Sequence, residues 1–324
     1  MRMQGLHAVI GTAVALSFAT SAAFGQSYPW KPIRLVIPVT PGGGVDAVAR
    51  TVGQKLTAAF NQQVVVDNRP GAGGSVASDI VAKSVPDGHT LAIVTASHVT
   101  NASLYKKLPY DPIRDFAPIS LLSVQPYLLV VNVSAPISNL KEFVAFARGK
   151  QGGISYASAG SGLLGHLSME LFRSLAGFEG VHVPYKGGAP ALVDVMGGRV
   201  DAFFSTITSA LPHVRSGRVR AVAVSSAKRH PQVADVPTIV ESGYPGYDVL
   251  SWYALLAPAG TPKPVIARLH GETVKLLTSS EVKERMAADG AEPVSSTPQE
   301  LAAYLNSEMV RWAKVIRQSG ASAE

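Results

Sequence analysis

Two glycine-rich turns are the strongest candidates for a binding site in this sequence. The first covers residues 40–46 and the second residues 69–75, and each lies between a predicted strand and a predicted helix. Glycine lets backbone N–H groups approach a ligand closely, and a helix start adds unpaired donors and the positive end of the helix dipole. Two such turns at one edge of a sheet predict a socket for an anion, although both could be tight turns that only require positive φ. The residues of these turns that we expect to contact a ligand are Thr40, Gly42, Gly43, Gly44, Asp46, Ala72 and Gly73.

A third glycine-rich segment, residues 160–165, matches the pattern Gly-x-Gly-x-x-Gly. This pattern can bind the pyrophosphate of a dinucleotide, but such a site needs an acidic residue about 20 positions further on to hold the ribose. The next predicted strand ends in residues 184–187, where there is no acid, so we predict no cofactor. The segment fits a further anion-binding helix start, with contacts from Ser158, Gly160, Ser161 and Gly162.

His166 follows this segment in the first turn of the predicted helix. As a catalytic base it would need a nucleophile and an orienting acid. Ser161 and Ser168 are near in sequence, but neither lies in the Gly-x-Ser-x-Gly turn of serine hydrolases. We therefore interpret His166 as a ligand-site residue that caps or hydrogen-bonds near the cleft. A hydrolase that uses this histidine is the weaker alternative.

Other polar residues stand at the ends of predicted strands. Ser97 lies in a predicted polar turn, residues 96–98, and Ser205 and Thr206 follow the strand that starts at Val200. We expect all three to contact the ligand. Asp46 could bind a ligand amine or a metal, but we favour a brace for its own loop, because a free carboxylate would repel an anion. No metal-binding pattern is present, so no metal site is predicted.

Predicted strands and helices alternate along most of the chain, which indicates a doubly wound α/β fold. Two long extended segments, residues 116–133 and 247–257, interrupt the alternation. The simplest interpretation is two doubly wound lobes with a cleft between them, joined by these segments. Lobe 1 would contain residues 26–124 and 248–324, including C-terminal helices that pack back on it, and lobe 2 residues 125–247. Because ligands bind beyond the carboxyl ends of parallel strands, the predicted contacts would face one another across the cleft.

The composition is that of a globular protein with a large core, because 47% of the 324 residues are hydrophobic and only 16% are charged. Residues 1–25 have the features of a signal peptide. Arg2 precedes an uncharged apolar run over residues 9–19, and the small-x-small sequence Ala-Phe-Gly precedes Gln26. The apolar run is short for a membrane anchor, which is the alternative. We therefore expect an exported protein.

The charges of the chain do not indicate a nucleic-acid partner. From Gln26 onward the chain carries 28 basic and 22 acidic residues, a net charge of +6. This excess is compatible with an acidic ligand. The basic residues are scattered rather than clustered, so we predict no nucleic-acid partner. The chain has no cysteine, which excludes disulfides and thiol nucleophiles.

Five passages, in order, resemble a known family. They are YPWKPIRLVIP (28–38), PGGGVD (41–46), NRPGAGG (68–74), YASAG (156–160) with His166 following, and VPYKGGAPA (183–191). The chain resembles the tripartite tricarboxylate transporter substrate-binding proteins, also called the Bug family, over essentially the whole mature chain. The resemblance implies a periplasmic binding protein of the type II kind that acts as a monomer. It would close on a small organic anion and deliver it to the large and small membrane subunits of a permease.

The resemblance also implies roles for the predicted site. The two turns of lobe 1 would hold a carboxylate through backbone N–H groups and bound water, and residues 158–162 with Ser205 would complete the pocket. Thr40 stands where many relatives carry an apolar or aromatic residue, and Ser205 and Thr206 stand where an acid is often found. The missing acid disfavours an amino-acid ligand, so the implied solute is a di- or tricarboxylate or an aromatic acid. The same fold could instead serve as a ligand receptor for a sensor kinase.

Overall fold

The computed structural model describes residues 28–42, 44–288 and 290–322, so the predicted signal peptide and Gly43 lie outside the described residues. The strands are β1 (Ile33–Ile37), β2 (Val64–Asn68), β3 (Thr90–Val94), β4 (Phe116–Asn132), β5 (Ile154–Ser158), β6 (Gly180–Pro184), β7 (Ala202–Thr206), β8 (Val219–Val224), β9 (Leu250–Pro258) and β10 (Glu292–Pro293). The helices are α1 (Gly44–Phe60), α2 (Ser75–Ala82), α3 (Ser97–Leu104), α4 (Leu140–Gly149), α5 (Leu164–Ala176), α6 (Gly188–Met196), α7 (Ile207–Arg215), α8 (Lys263–Thr278), α9 (Ser280–Ala288) and α10 (Pro298–Ser319).

The first sheet is built on parallel strands in the order β2-β1-β3. Strand β9 adds to it antiparallel to β3, and the first part of β4 adds antiparallel to β9. Strand β1 is an almost continuous apolar run in which Ile33, Leu35 and Ile37 are fully buried. Such a run is typical of a parallel strand that is covered by helices on both faces. The carboxyl ends of β1, β2 and β3 therefore meet at one edge of this sheet.

The second sheet begins where β4 continues past the first. Residues 127–132 of β4 pair antiparallel with both β7 and β8, whereas residues 116–126 pair with β9. Strands β5, β6 and β7 are parallel, in the order β7-β5-β6. The 17-residue strand β4 is thus shared by both sheets, and it coincides with the extended segment predicted for residues 116–133.

Local sequence signals set several helix ends. The side chain of Asn139 accepts a hydrogen bond from the Glu142 N–H at the start of α4. Thr297 and Glu300 form a reciprocal capping box at the start of α10, and Gly177 ends α5 in the left-handed conformation. These caps satisfy backbone groups that a helix end otherwise leaves unpaired.

The long C-terminal helix contacts both sheets. Helix α8 packs against α1, whereas α10 contacts α3 and also α5 beside the second sheet. With 22 residues, α10 is about 33 Å long, which is enough to reach both. It is anchored by Glu308, a buried side chain whose Oε2 accepts hydrogen bonds of 3.0 Å from the indoles of Trp252 and Trp312.

Helix α3 differs from the prediction of a polar turn at residues 96–98. The structure has a helix from Ser97 to Leu104, and its His98, Thr100 and Asn101 side chains are buried. A helix that buries polar side chains has no apolar stripe, so hydrophobic periodicity does not reveal it.

Candidate functional site

A cavity of about 180 Å³ lies between the two sheets at the carboxyl ends of their parallel strands. Its lining comes from both sheets and from the strands β4 and β9. The lining residues are Val39, Val45, Thr95, Ala96, Ser97, Tyr127, Ala159, Leu163, Leu164, Gly165, Gly188, Phe203, Phe204, Ser205, Thr206, Ser209, Ser251 and Tyr253. Ligand sites of α/β folds are found at this edge of a sheet.

Five helices begin at this cavity. Val45 lies in the first turn of α1, Ser97 begins α3, Leu164 begins α5, Gly188 begins α6, and Thr206 directly precedes α7. Each helix start presents backbone N–H groups and the positive end of its dipole. These helix starts favour a negative charge in the cavity without the help of a cationic side chain.

The lining contains no charged side chain among the residues that the structure describes. Its polar groups are the hydroxyls of serine, threonine and tyrosine residues, and most of the remaining wall is apolar, including Leu163, Leu164, Phe203 and Phe204. Neutral donors can bind an anion, and no carboxylate competes with it. Apolar walls can cover the uncharged part of the same molecule.

The first glycine turn is held by Asp46. This buried carboxylate accepts hydrogen bonds from the Gly42 N–H and the Asn68 amide, both at 3.0 Å, and it pairs with Arg50. Burial alone would raise the pKa of Asp46, but these hydrogen bonds and the Arg50 charge hold it below its ordinary value. The brace predicted for Asp46 is therefore present. Thr40 and Gly42 are exposed, and Gly44 begins α1 beside the lining residue Val45.

The second glycine turn packs behind the start of α3. Asn101 donates a hydrogen bond of 3.1 Å to the carbonyl of Gly73, while Ala72 is exposed. A methyl group on Gly74 would lie 2.9 Å from Pro38 and 3.2 Å from the Ser97 hydroxyl. This close approach brings the second turn next to Ser97, which lines the cavity and bonds to Thr95 at 2.9 Å.

The segment from Ser158 to Gly162 borders the cavity through Ala159 rather than through its predicted contacts. Ser158 is fully buried, and its hydroxyl lies 2.6 Å from Nε2 of His182 and accepts a 3.2 Å bond from the Gly160 N–H. Ser161 is exposed. The Gly162 N–H donates to Nδ1 of His166 at 3.1 Å, so His166 has the capping role that the sequence favoured.

Ser205 and Thr206 lie at the carboxyl end of β7, as predicted, and both line the cavity. The Thr206 hydroxyl donates to Ser209 at 3.1 Å, which places a second hydroxyl of α7 in the wall. Among the predicted contacts, Ser97, Ser205 and Thr206 line the cavity itself. The other predicted contacts that the structure describes are not among the lining residues.

Three lining residues on the crossing strands were not predicted as contacts. Tyr127, Ser251 and Tyr253 are buried, and the Ser251 hydroxyl bonds to both tyrosines. Burial raises the pKa of Tyr127 above its ordinary value and that of Tyr253 to about 12, so both remain neutral O–H groups at neutral pH. The extended patterns of residues 116–133 and 247–257 were the sequence signals for this wall.

Two further properties of the described residues are relevant to function. No group of three or more histidine, aspartate or glutamate side chains within them is arranged to hold a metal ion. None of the helices in that part of the chain combines the length and the apolar character needed to cross a membrane.

Comparison with known proteins identifies the fold and the family. The family model described as "Tripartite tricarboxylate transporter family receptor" matches residues 48–321. The protein BugT of Bordetella pertussis is 36% identical over 323 residues, which cover 99% of each chain.

Solved structures of periplasmic binding proteins resemble this chain over most of its length. R. palustris Rpa4515 with adipate shares 36% identity and a TM-score of 0.84, covering 91% of this chain and 99% of that one. MatC from Rhodopseudomonas palustris with bound malate shares 34% identity and a TM-score of 0.80, covering 89% and 100%.

The fold is therefore that of a periplasmic binding protein, and the prediction of a doubly wound α/β fold is confirmed. The chain belongs to the tripartite tricarboxylate transporter receptor family, also known from its Bug members. It is a solute-binding protein of a transporter receptor family and not an enzyme.

Proposed function

We propose that this protein captures a small carboxylate in the cavity between its sheets and delivers it to the large and small membrane subunits of a tripartite tricarboxylate transporter. The observation that carries the proposal is the convergence of five helix starts on a cavity whose described lining has no charged side chain. Backbone N–H groups at helix starts bind carboxylates, and a neutral wall offers no competing charge. Adipate and malate, bound by two relatives, belong to the same chemical class.

The size of the cavity limits the range of solutes that can bind in it. A volume of about 180 Å³ is below the roughly 300 Å³ at which typical small-molecule pockets begin. We therefore infer a compact di- or tricarboxylate or a single-ring aromatic acid. The absence of a carboxylate from the described lining disfavours an amino acid, because an ammonium group would have no counter-charge.

The lobes and the contacts follow from the same proposal. We assign residues 26–124 and 248–324 to lobe 1 and residues 125–247 to lobe 2, with the solute between them. The two turns of lobe 1 would supply backbone donors near Ser97, and Ser205 and Thr206 would supply donors from lobe 2. Closure is favourable because only the closed form offers contacts from both sides. Removal of residues 1–25 on export would release the mature chain, acting as a monomer, into the periplasm.

Thermal unfolding of the refolded mature protein against a panel of solutes tests this function. The panel contains adipate, malate, citrate, benzoate, glutamate and glucose. A solute at a hundred times its dissociation constant adds about 2.7 kcal/mol to the free energy of unfolding, which is readily measured. We expect stabilisation by one or more of the non-amino acids and none by glucose. Stabilisation by glucose alone, or by no carboxylate after refolding from denaturant, would reject the proposal.

A further inference from the structure

Two histidine rings are stacked directly behind the cavity wall. His166, in the first turn of α5, and His182, on β6, have ring centroids 3.7 Å apart and planes inclined by only 10°. Tyr156 of β5 lies beside both rings, with its ring centroid 5.3 Å from that of His182 and 6.2 Å from that of His166. His166 is only 5% exposed. The stack is therefore a packed element of the interior and not a pair of surface side chains.

Each ring holds one end of the segment that runs from Ser158 to Gly162. Nδ1 of His166 accepts the Gly162 N–H at 3.1 Å. Nε2 of His182 lies 2.6 Å from the Ser158 hydroxyl, which in turn accepts the Gly160 N–H at 3.2 Å. Because a backbone N–H can only donate, the hydrogen bond from Gly162 requires Nδ1 of His166 to carry no proton.

The segment held in this way forms part of the cavity and touches the opposite side. Ala159 and Leu163 line the cavity. Gly162 packs against Leu104 at the end of α3 so closely that a methyl group on Gly162 would overlap that side chain. A displacement of this segment would therefore open the wall and remove a contact between the two sides of the cleft.

We propose that His166 is a positioning residue of the solute cavity. Its neutral imidazole fixes residues 158–163 against α3, and protonation of the ring releases this segment together with the bound solute. The release of solute rests on the proposed function, whereas the release of the segment does not. A proton on Nδ1 would face the Gly162 N–H donor and would put a positive charge in contact with the His182 ring.

The charged groups around the stack set the pH at which this occurs. On α5, Glu170 accepts a hydrogen bond from the Tyr156 hydroxyl and is paired with Arg173 at 2.8 Å. Burial and the neighbouring His182 lower the pKa of His166 to about 4, while Glu170 acts in the opposite direction. Burial also lowers the pKa of His182. If the released segment restores an ordinary histidine pKa, solute affinity falls by at most about tenfold per pH unit between about 6.5 and 4.

Two substitutions of His166 distinguish the effect of its hydrogen bond with Gly162 from the effect of its protonation. In His166→Asn the side-chain oxygen can take the place of Nδ1 as acceptor, but the group does not titrate. His166→Phe keeps an aromatic ring against His182 and leaves Gly162 without its acceptor. His270→Gln is the control, because His270 is a half-buried histidine that also bonds a backbone group, the Ser296 carbonyl, through Nε2 at 3.1 Å, far along the chain in α8.

Amide hydrogen exchange of residues 158–163, corrected for intrinsic exchange rates, is measured at pH 7 and pH 5 without solute. We expect at least tenfold weaker protection at pH 5 in the wild type and in His270→Gln, pH-independent protection in His166→Asn, and little protection at either pH in His166→Phe. Exchange of α3, which contains the buried His98, reports any wider opening. A wild-type segment protected equally at both pH values, or a His166→Asn protein that loses protection like the wild type, would overturn the assignment.

The same proteins are titrated with adipate and malate at both pH values. We expect affinity to fall more steeply between pH 7 and pH 5 in the wild type than in His166→Asn, in which only protonation of the solute itself contributes. If neither acid binds at pH 7 while the exchange pattern is as expected, the carboxylate function fails for these solutes and the positioning role stands. If a solute binds with the same pH dependence in both proteins, the link between His166 and solute release is wrong.

Discussion

The side-chain amide of Gln125 donates a hydrogen bond of 2.6 Å to the hydroxyl of Tyr253. The carbonyl oxygen of the same amide accepts a hydrogen bond from Thr208, in the first turn of α7. One buried amide on β4 therefore connects a tyrosine of the cavity wall to the helix that follows β7 of the second sheet. This bridge crosses between the two sheets, so we expect it to stabilise the closed cleft.

Replacing Gln125 by leucine tests the bridge. The substitution leaves the hydroxyls of the half-buried Thr208 and the buried Tyr253 without this partner, at a cost of about 1–3 kcal/mol. We expect solute affinity, measured by calorimetric titration, to fall about fivefold or more. Gln54→Leu is the control, since Gln54 is exposed and bonds only at 3.4 Å to Arg285. Equal affinities for the two variants would show that the bridge does not contribute to closure.

Two glycine-to-alanine substitutions should have different effects, one on the free energy of unfolding and the other on solute binding. A methyl group on Gly44 would lie 3.1 Å from the Tyr253 hydroxyl, whereas one on Gly271, inside α8, would meet nothing within 4 Å. We expect Gly271→Ala to raise the free energy of unfolding by about 0.5–1 kcal/mol, because alanine is the better helix former. Gly44→Ala should displace the hydroxyl of Tyr253 and weaken solute binding about fivefold, through partial loss of a hydrogen bond worth about 1 kcal/mol. Urea unfolding and titration of each variant measure the two effects, and a gain in solute affinity for Gly44→Ala would contradict the close contact.

Stability should depend on pH through two buried histidines. Burial lowers the pKa of His98 from 6.5 to about 4, and burial with the neighbouring His182 does the same for His166. Between these values the unfolded chain binds more protons than the folded chain. The free energy of unfolding is therefore fully retained above pH 6.5 and decreases as the pH falls toward 4, by at most about 1.4 kcal/mol per pH unit for each histidine. Urea unfolding at pH 7.5, 6 and 5 checks the slope, which should be smaller in His166→Asn. A free energy of unfolding that is constant over this range would show that neither histidine is held neutral.

The anchor of α10 can be tested at Glu308. Glu308→Leu leaves the indole N–H groups of Trp252 and Trp312 unpaired, and each buried unpaired donor costs about 1–3 kcal/mol. We expect the free energy of unfolding to fall by about 3 kcal/mol in Glu308→Leu and by clearly less in Glu308→Gln, which keeps a carbonyl acceptor. If both variants were equally stable, the two indoles would have other partners.

The alternation of strands and helices could be predicted from the sequence, because apolar periodicity is local information. The same holds for the brace at Asp46, since Gly42 and Arg50 each lie four residues from it. Ser205 and Thr206 could be placed at the site because they end a predicted strand. Each of these features depends on residues that are close in the chain.

Features that depend on distant pairing could not be predicted. Tyr127 and Tyr253 reach the cavity because β4 pairs with β9 in a register that no local pattern specifies. The stack of His166 on His182 requires the first turn of α5 to meet a side chain of β6, and the helix at Ser97 cannot be seen in the sequence because its buried residues are polar. The glycine turns were predicted as ligand contacts because a glycine-rich turn before a helix can be recognised in the sequence. How far each turn lies from the cavity depends on the tertiary structure, which local patterns do not specify.

Introducing one carboxylate into the cavity tests carboxylate binding most directly. Ser209 lines the cavity at the third residue of α7, where aspartate favours helix formation, so Ser209→Asp should fold normally. Two unit charges 4 Å apart near a protein surface repel by about 4 kcal/mol. We therefore expect adipate or malate to bind to the wild type, and to bind to Ser209→Asp at least a hundredfold more weakly than to the wild type. Ser280→Asp, at the exposed start of α9, should bind like the wild type. Equal binding by Ser209→Asp and Ser280→Asp would contradict a carboxylate site in this cavity.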